Sequence, residues 1–163
     1  MIGIGSEPRG DDAAGLEAVR RLRAGDGIES ALCLTGALEL LELWRGAPAV
    51  LLVDAVRSGS APGTMHRFEV GTQPLDCSIR LCSSHAIGVG EAVELARVLG
   101  RLPPRLVIYG IEAVGFQPGT GLSDPVAASL PRLVRAMSGE AAAIRDELTR
   151  ATTPLVRSAG SHP

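Results

Sequence analysis

The chain has 163 residues, of which 45% are apolar, and this length is enough to bury the core of one domain. Aromatic residues make up 2% and the formal net charge is −2, so neither base-stacking side chains nor a basic surface indicates a nucleic-acid partner. No apolar run approaches the roughly 20 residues of a membrane helix and no secretory leader is evident, so we expect a cytoplasmic protein without a membrane partner.

Apolar and helical patterns alternate along the first half of the chain. The run AVLLVDAV at residues 49–56 is the clearest strand, because it is apolar on both faces, like a central parallel strand covered by helices on both sides. Asp11 or Asp12 is a suitable N-cap for the first helix. The elements predicted in this half are strands at residues 1–5, 28–34 and 49–56 and helices at residues 13–24 and 38–44.

Only a short turn separates the central strand from the next strand candidate, at residues 64–70. A helical crossover does not fit into that turn, so we expect the strand at residues 64–70 to run antiparallel to its neighbour. A helix at residues 88–99, a buried strand at residues 105–111 and a final helix from about residue 124 follow. We expect Pro131 to kink or restart that last helix.

This order of elements predicts one α/β domain over residues 1–149, with about five strands in a mostly parallel sheet, one antiparallel strand and helices on both faces. Residues 150–163 are expected to form a disordered tail, because Thr, Pro, Ser and Gly are frequent there. The first strand is short, which leaves open whether the native start lies upstream of Met1.

The three cysteines do not indicate a metal knuckle or a disulfide framework. Cys33, Cys77 and Cys82 form no Cys-x-x-Cys pair, and disulfides are uncommon in the cytoplasm. We expect Cys33 to be a buried free thiol.

Gly3 and Gly5 follow the first strand as the opening of a dinucleotide-binding fingerprint would. The third glycine of that fingerprint would fall at position 8, where the chain has Pro8, and the second strand ends in Cys33 and Leu34 rather than in an acidic residue. No Gly-Lys-Ser/Thr phosphate loop occurs either. A small nucleotide-binding regulator therefore fits the fold pattern but lacks the residues that cradle phosphates.

Polar residues that could carry chemistry occur at three places along the predicted strands and helices. Asp11 and Asp12 follow the first strand, Asp54 lies near the carboxyl end of the central strand, and His85 precedes a helix. Each has an ordinary structural explanation, since aspartates favour the start of a helix and Asp54 or His85 can cap a turn. A carboxylate in an apolar strand is nevertheless costly without a partner. Together, two carboxylates and one imidazole at the same edge of a sheet suit a divalent transition metal with an open position.

At this point the motifs resemble those of a known family, the hydrogenase maturation proteases, which are the endopeptidases that finish the large subunit of [NiFe] hydrogenases. The resemblance covers nearly the whole chain ahead of the tail. The motifs that carry it are Ile2-Gly-Ile-Gly with Gly10-Asp-Asp-x-x-Gly15, Leu52-Val-Asp54-Ala, Ser84-His85, and Gly110-Ile-Glu112 with Leu122-Ser123.

The resemblance implies that Asp12, Asp54 and His85 are the metal ligands and catalytic residues of a metal-dependent peptidase. It implies that the metal is nickel carried by the substrate, while another divalent metal such as zinc or cadmium can occupy the same ligands. The implied partner is a nickel-loaded [NiFe] hydrogenase large-subunit precursor, from which a C-terminal extension is removed. A metal there could polarise the scissile carbonyl or activate a water.

Two positions depart from the pattern of the family. Ser6 stands where the family usually has Asn, and Ala13 stands where a glycine is common. Neither departure removes a predicted ligand, but both lie close to Asp12. They leave a second class of function open, a non-catalytic checkpoint protein that binds the metal-loaded precursor without cutting it.

Overall fold

A computed structural model of the chain describes residues 1–7, 9–22, 28–34, 36–71 and 88–152. Within these ranges the chain forms five strands, four α-helices and one short 3-10 helix, η1 (Gly10–Ala13). The strands are β1 (Ile2–Ile4), β2 (Ala31–Cys33), β3 (Ala49–Val56), β4 (Met65–Val70) and β5 (Arg105–Glu112). The α-helices are α1 (Ala14–Arg21), α2 (Ala37–Leu43), α3 (Val89–Val98) and α4 (Asp124–Thr152).

The strands form one sheet in the order β2-β1-β3-β5-β4. Strands β2, β1, β3 and β5 are parallel, whereas β4 is antiparallel to β5. The predicted mostly parallel sheet with one antiparallel strand is therefore confirmed. The partner of β4 is β5, which inserts between β3 and β4 although β3 and β4 follow each other along the chain.

Helices cover both faces of the sheet, as the apolar run of β3 predicts. On one face, Val50 and Leu52 pack with residues of α2 and α3. On the other face, Leu51 and Val53 pack with residues of α1 and α4. Asp54 follows Leu52 by two positions and therefore points to the face that α2 and α3 cover.

Three glycines allow the first helices to lie directly on the sheet. A Cβ on Gly15 would be 2.3 Å from the carbonyl oxygen of Ile4 and 2.4 Å from that of Val53. A Cβ on Gly5, whose φ is +153°, would be 1.9 Å from the carbonyl oxygen of Asp12. The Gly3-x-Gly5 segment therefore serves the close approach of backbone to backbone, which a side chain would prevent.

The last helix, α4, continues through Pro131 without restarting, because a stripe of buried side chains from Val126 to Ile144 packs on the sheet and offsets the lost backbone hydrogen bond. It ends at Thr152, three residues into the range that was predicted as tail, and residues 153–163 lie outside the described residues. None of the helices in the described part of the chain has the length and apolar character that a membrane crossing requires.

Candidate functional site

Asp54 is a fully buried carboxyl group near the carboxyl end of the central strand β3. Its Oδ1 accepts a hydrogen bond of 2.8 Å from the amide of Ala55. Its Oδ2 is buried and has no hydrogen-bond partner among the described residues. Burial raises the pKa of Asp54 from 3.8 to about 7, and the charge of Asp12 adds to the rise, while the bond from Ala55 opposes it.

Asp12 lies in η1 and is also fully buried. The segment η1 packs against β3, and the absence of a side chain at Gly5 allows the carbonyl of Asp12 to lie close to the end of β1. The Asp12 carboxylate is close enough to Asp54 to raise the pKa of Asp54. The structure thus brings together two of the three predicted ligand residues, which are far apart in the chain.

His85, the third predicted ligand, lies outside the described residues. Among the described residues, no group of three His, Cys, Asp or Glu side chains is arranged to hold a metal ion. A third protein ligand beside Asp12 and Asp54 would therefore come from outside the described residues. The ligand set of Asp12, Asp54 and His85 stays a prediction.

Asp11 has a different role from that of its neighbour Asp12. Its Oδ2 accepts hydrogen bonds from the amides of Val114 (2.8 Å) and Gly115 (3.4 Å) and from the hydroxyl of Ser123 (2.9 Å). Its Oδ1 accepts a hydrogen bond of 2.7 Å from the amide of Ser123. The N-cap position of α1 is held by Ala13 and not by either aspartate. Asp11 instead ties η1 to the β5–α4 loop, residues 113–123.

Glu112, at the end of β5, is a further buried carboxyl group at this edge of the sheet. Its Oε1 accepts bonds from the amides of Ser58 (2.8 Å) and Gly59 (2.9 Å), and its Oε2 accepts a bond from the Ser58 hydroxyl (2.7 Å). Burial opposes ionisation of Glu112, but the bonds from Ser58, Gly59 and His66 outweigh it and hold its pKa below the usual range.

Ser58, His66 and Glu112 do not form a serine-protease triad. The Nε2 atom of His66 lies 3.4 Å from the Ser58 hydroxyl and 3.2 Å from Glu112 Oε2. In a triad the two contacts use different ring nitrogens, so that one accepts the serine proton while the other is held by the acid. Here both contacts use the same nitrogen, and the Ser58 hydroxyl is bonded to Glu112.

The Ser58–His66–Glu112 cluster is also separate from the pair of Asp12 and Asp54. His66, Gly110 and Asp54 are paired in one row across β4, β5 and β3, so the side chains of His66 and Asp54 point to the same face. The side chain of Val56 occupies the space above Gly110, where a Cβ would be 2.7 Å from Val56 Cγ1. Val56 thus separates the two groups.

Cys33 is buried, as predicted, and its Sγ donates a hydrogen bond of 3.5 Å to the carbonyl oxygen of Gly36. The other two cysteines, Cys77 and Cys82, lie outside the described residues.

The fold is that of a known class of α/β proteins. HybD from Thermococcus kodakarensis, whose solved structure is described as a [NiFe] hydrogenase maturation protease, is 28% identical and superimposes with a TM-score of 0.68 over 85% of this chain and 95% of that chain. The hydrogenase maturating endopeptidase HybD from E. coli, at 24% identity, shares the fold with a TM-score of 0.70 over 90% of this chain and 91% of that chain.

A family model described as hydrogenase maturation protease matches residues 35–140. The chain belongs to the hydrogenase maturation protease family. The hydrogenase expression/formation protein HupD from Thiocapsa roseopersicina is 31% identical over 118 residues, which are 70% of this chain and 53% of HupD. The hydrogenase 2 maturation protease from E. coli K12 is 26% identical over 135 residues, covering 80% of this chain and 82% of that protein. The chain spans 53% and 63% of the length of two curated HupD relatives.

Proposed function

We propose that this protein is an endopeptidase that removes the C-terminal extension of a nickel-loaded [NiFe] hydrogenase large-subunit precursor. Membership of the hydrogenase maturation protease family supports a role in hydrogenase maturation. The observation that carries the proposal is the pairing of two fully buried carboxyl groups, Asp12 and Asp54, at the carboxyl edge of the sheet. In open α/β sheets this edge is where ligands bind.

The residues of this pair fit a divalent metal ion. Two carboxylates that repel each other in a buried position need a proton or a cation to be stable there. Asp54 Oδ2 has no hydrogen-bond partner among the described residues, so it is an oxygen with a lone pair available to a metal. Carboxylate oxygens with an imidazole from His85 form a mixed oxygen and nitrogen set that suits nickel or zinc.

In this proposal the substrate carries the metal, and the enzyme recognises a loaded precursor by binding that metal. Asp12 and Asp54 would bind the ion carried by the precursor. Their positions relative to each other are fixed because η1, which carries Asp12, packs against β3, which carries Asp54. When bound, such an ion supplies Lewis-acid chemistry toward a carbonyl or a water molecule. The protein contributes a pair of fully buried carboxylate ligands. This pair favours the binding of a precursor that has received its metal over one that has not.

The test is incubation of the purified protein with nickel-loaded and nickel-free precursor, followed by measurement of the intact mass of the precursor. Wild type is expected to remove a C-terminal peptide from the loaded precursor alone. Asp12→Asn, Asp54→Asn and His85→Ala are expected to abolish the cleavage, since each loses a predicted ligand.

Two control variants separate loss of a ligand from a general effect of substitution. His66→Gln removes a histidine that Val56 separates from Asp54, and Glu69→Gln removes an exposed carboxylate of β4. Both are expected to cleave like wild type. Cleavage of nickel-free precursor would contradict the proposal that the enzyme recognises its substrate through the metal. A loaded precursor that binds the protein and keeps its full mass would instead favour the checkpoint function.

A further inference from the structure

We propose that Asp11 is a positioning residue for Asp12, which it serves by locking η1 against the β5–α4 loop. The role of Asp12 as a ligand rests on the proposed function. The positioning itself rests on hydrogen bonds that link two parts of the chain more than a hundred residues apart in sequence.

The carboxylate of Asp11 is matched to its surroundings. It is 1% exposed and accepts four hydrogen bonds, two of them from Ser123 and one each from Val114 and Gly115. All four partners are donors, so the site suits a side chain that only accepts. An amide at this position would turn its own N–H groups toward some of these donors.

Backbone contacts at the same place hold η1 to the same loop. The amide of Asp11 donates to the carbonyl of Gly115 at 3.1 Å, and the amide of Gly10 donates to the carbonyl of Thr120 at 3.0 Å. A Cβ on Gly10, whose φ is +63°, would be 2.9 Å from both Gly115 O and Thr120 Oγ1. The two segments are therefore in contact through backbone and side chain together.

This attachment determines where Asp12 lies. Asp12 is the residue after Asp11 in a single turn of 3-10 helix, a segment too short to keep its place by its own hydrogen bonds. Ser123 directly precedes α4, which packs on the sheet through its buried stripe. Asp11 thus connects the turn that carries Asp12 to a firmly packed part of the domain. Asp11 would act on Asp12 through the backbone of this turn, with the orienting effect that outer-shell partners of metal sites have on ligands through hydrogen bonds.

Three variants test the role of Asp11. Asp11→Asn keeps the shape of the side chain and loses an acceptor, Ser123→Ala loses one of the four bonds, and Ser123→Thr keeps the hydroxyl. We expect Asp11→Asn to lower kcat and raise KM for the loaded precursor, and to lower the affinity for Zn²⁺ alone by about tenfold or more, the range seen when the support of a metal ligand is lost. The kcat and Zn²⁺ affinity of Ser123→Ala are expected to lie between those of wild type and Asp11→Asn. Ser123→Thr keeps the hydroxyl and is expected to have values close to those of wild type.

Glu140→Gln is the matched control. It is expected to reduce the stability of the protein without displacing Asp12. Glu140 accepts hydrogen bonds from Arg67 and Tyr109 and so ties α4 to β4 and β5. We expect Glu140→Gln to lower Tm as Asp11→Asn does and to leave kcat and Zn²⁺ affinity unchanged.

A further measurement needs neither metal nor precursor. The amide of Asp12 donates to the carbonyl of Arg9 at 3.3 Å, and its hydrogen exchange reports whether the turn is held in place. We expect faster exchange at Asp12 in Asp11→Asn and Ser123→Ala, with exchange in β3 unchanged.

The outcomes separate the two proposals. If Asp11→Asn behaves like Glu140→Gln in Zn²⁺ affinity, kcat and Asp12 exchange, the positioning role is wrong, whether or not the protein cleaves. If wild type binds no Zn²⁺ and cleaves nothing while exchange at Asp12 still rises in Asp11→Asn, the positioning role stands and the proposed function fails.

Discussion

Asp12 and Asp54 come from the first turn after β1 and from the central strand, and the charge of the first helps to raise the pKa of the second to about 7. Both side chains are fully buried. The raised pKa of Asp54 means that its charged form reduces the stability of the metal-free protein, and a strongly raised pKa in a buried position is typical of a functional site.

Asp54→Asn is expected to remove a pH dependence from the stability of the metal-free protein. A carboxyl group with a raised pKa binds more protons in the folded than in the unfolded state between its two pKa values. Its contribution to the free energy of unfolding therefore falls as pH rises from about 4 to about 7, by an amount on the order of 4 kcal/mol for a shift of about three units.

Urea unfolding of wild type and Asp54→Asn at several pH values between 4 and 8 measures this contribution. Other titrating groups are common to both chains, so the difference between the two curves reports Asp54 together with its interaction with Asp12. We expect Asp54→Asn to gain stability over wild type as pH rises and the gain to level off above pH 7. Parallel curves would show that the pKa of Asp54 is not raised.

Addition of Zn²⁺ or Ni²⁺ is expected to raise the Tm of wild type more at pH 8 than at pH 5. A cation favours the charged carboxylates, and fewer protons compete with it at high pH. An ion at a hundred times its Kd stabilises by about 2.7 kcal/mol. EDTA should reverse the shift.

The shift of Tm should be absent in Asp54→Asn and present in Glu69→Gln, an exposed carboxylate control. An equal shift in Asp54→Asn and wild type would mean that the ion binds elsewhere on the protein.

Gly5→Ala is expected to destabilise the protein by about 3 kcal/mol or more, in the range of severe core strain. The new Cβ would be 1.9 Å from the carbonyl oxygen of Asp12, at a residue whose φ is +153°. Gly100→Ala is the matched control, because Gly100 also has a positive φ, +63°, but no heavy atom within 4 Å of the added Cβ. Gly100→Ala should reduce the free energy of unfolding by about 1 kcal/mol, because only the strain of the positive φ is added. Similar midpoints for the two variants in thermal or urea unfolding would argue against close packing of η1 on β1.

Glu112→Gln is expected to reduce the free energy of unfolding by about 1–3 kcal/mol near pH 7, the usual effect of breaking buried bonds to a charged group. The pKa of Glu112 lies below its usual value, so its contribution is present above pH 4.5 and is lost as pH falls through the folded-state pKa. The difference between wild type and variant should therefore become smaller in acid. Glu69→Gln, on the exposed side of β4, should show little change. A difference that grows in acid would contradict a lowered pKa.

The sequence predicts the fold well because its strongest signals are local. The run of apolar residues in β3 sets both ends of that strand, and the structure has the same bounds. The short turn after β3 correctly indicates an antiparallel strand. It does not reveal that β5 lies between β3 and β4, since strand order depends on packing between distant segments.

The candidate site is less accessible to sequence analysis. The proximity of Asp12 to Asp54 follows from the rule that carboxyl ends of parallel strands share an edge. The different role of Asp11 does not, because two adjacent aspartates look alike until Ser123 is known to approach one of them. The partners of Glu112 are equally non-local. The single local signal there is that Glu112 is the last residue of an apolar strand, while Asp54 lies near the end of another.

The position of β5 between β3 and β4 has a consequence for the way this protein folds. Strands β3 and β4 are joined by a short turn, but the strand that pairs with β4 in the native sheet is β5, which is synthesised only after residues 71–104. A β3–β4 hairpin would be non-native and would have to open before β5 could enter between the two strands. Folding therefore has to wait for a distant segment, and topologies of this kind are slow and prone to aggregate on the way.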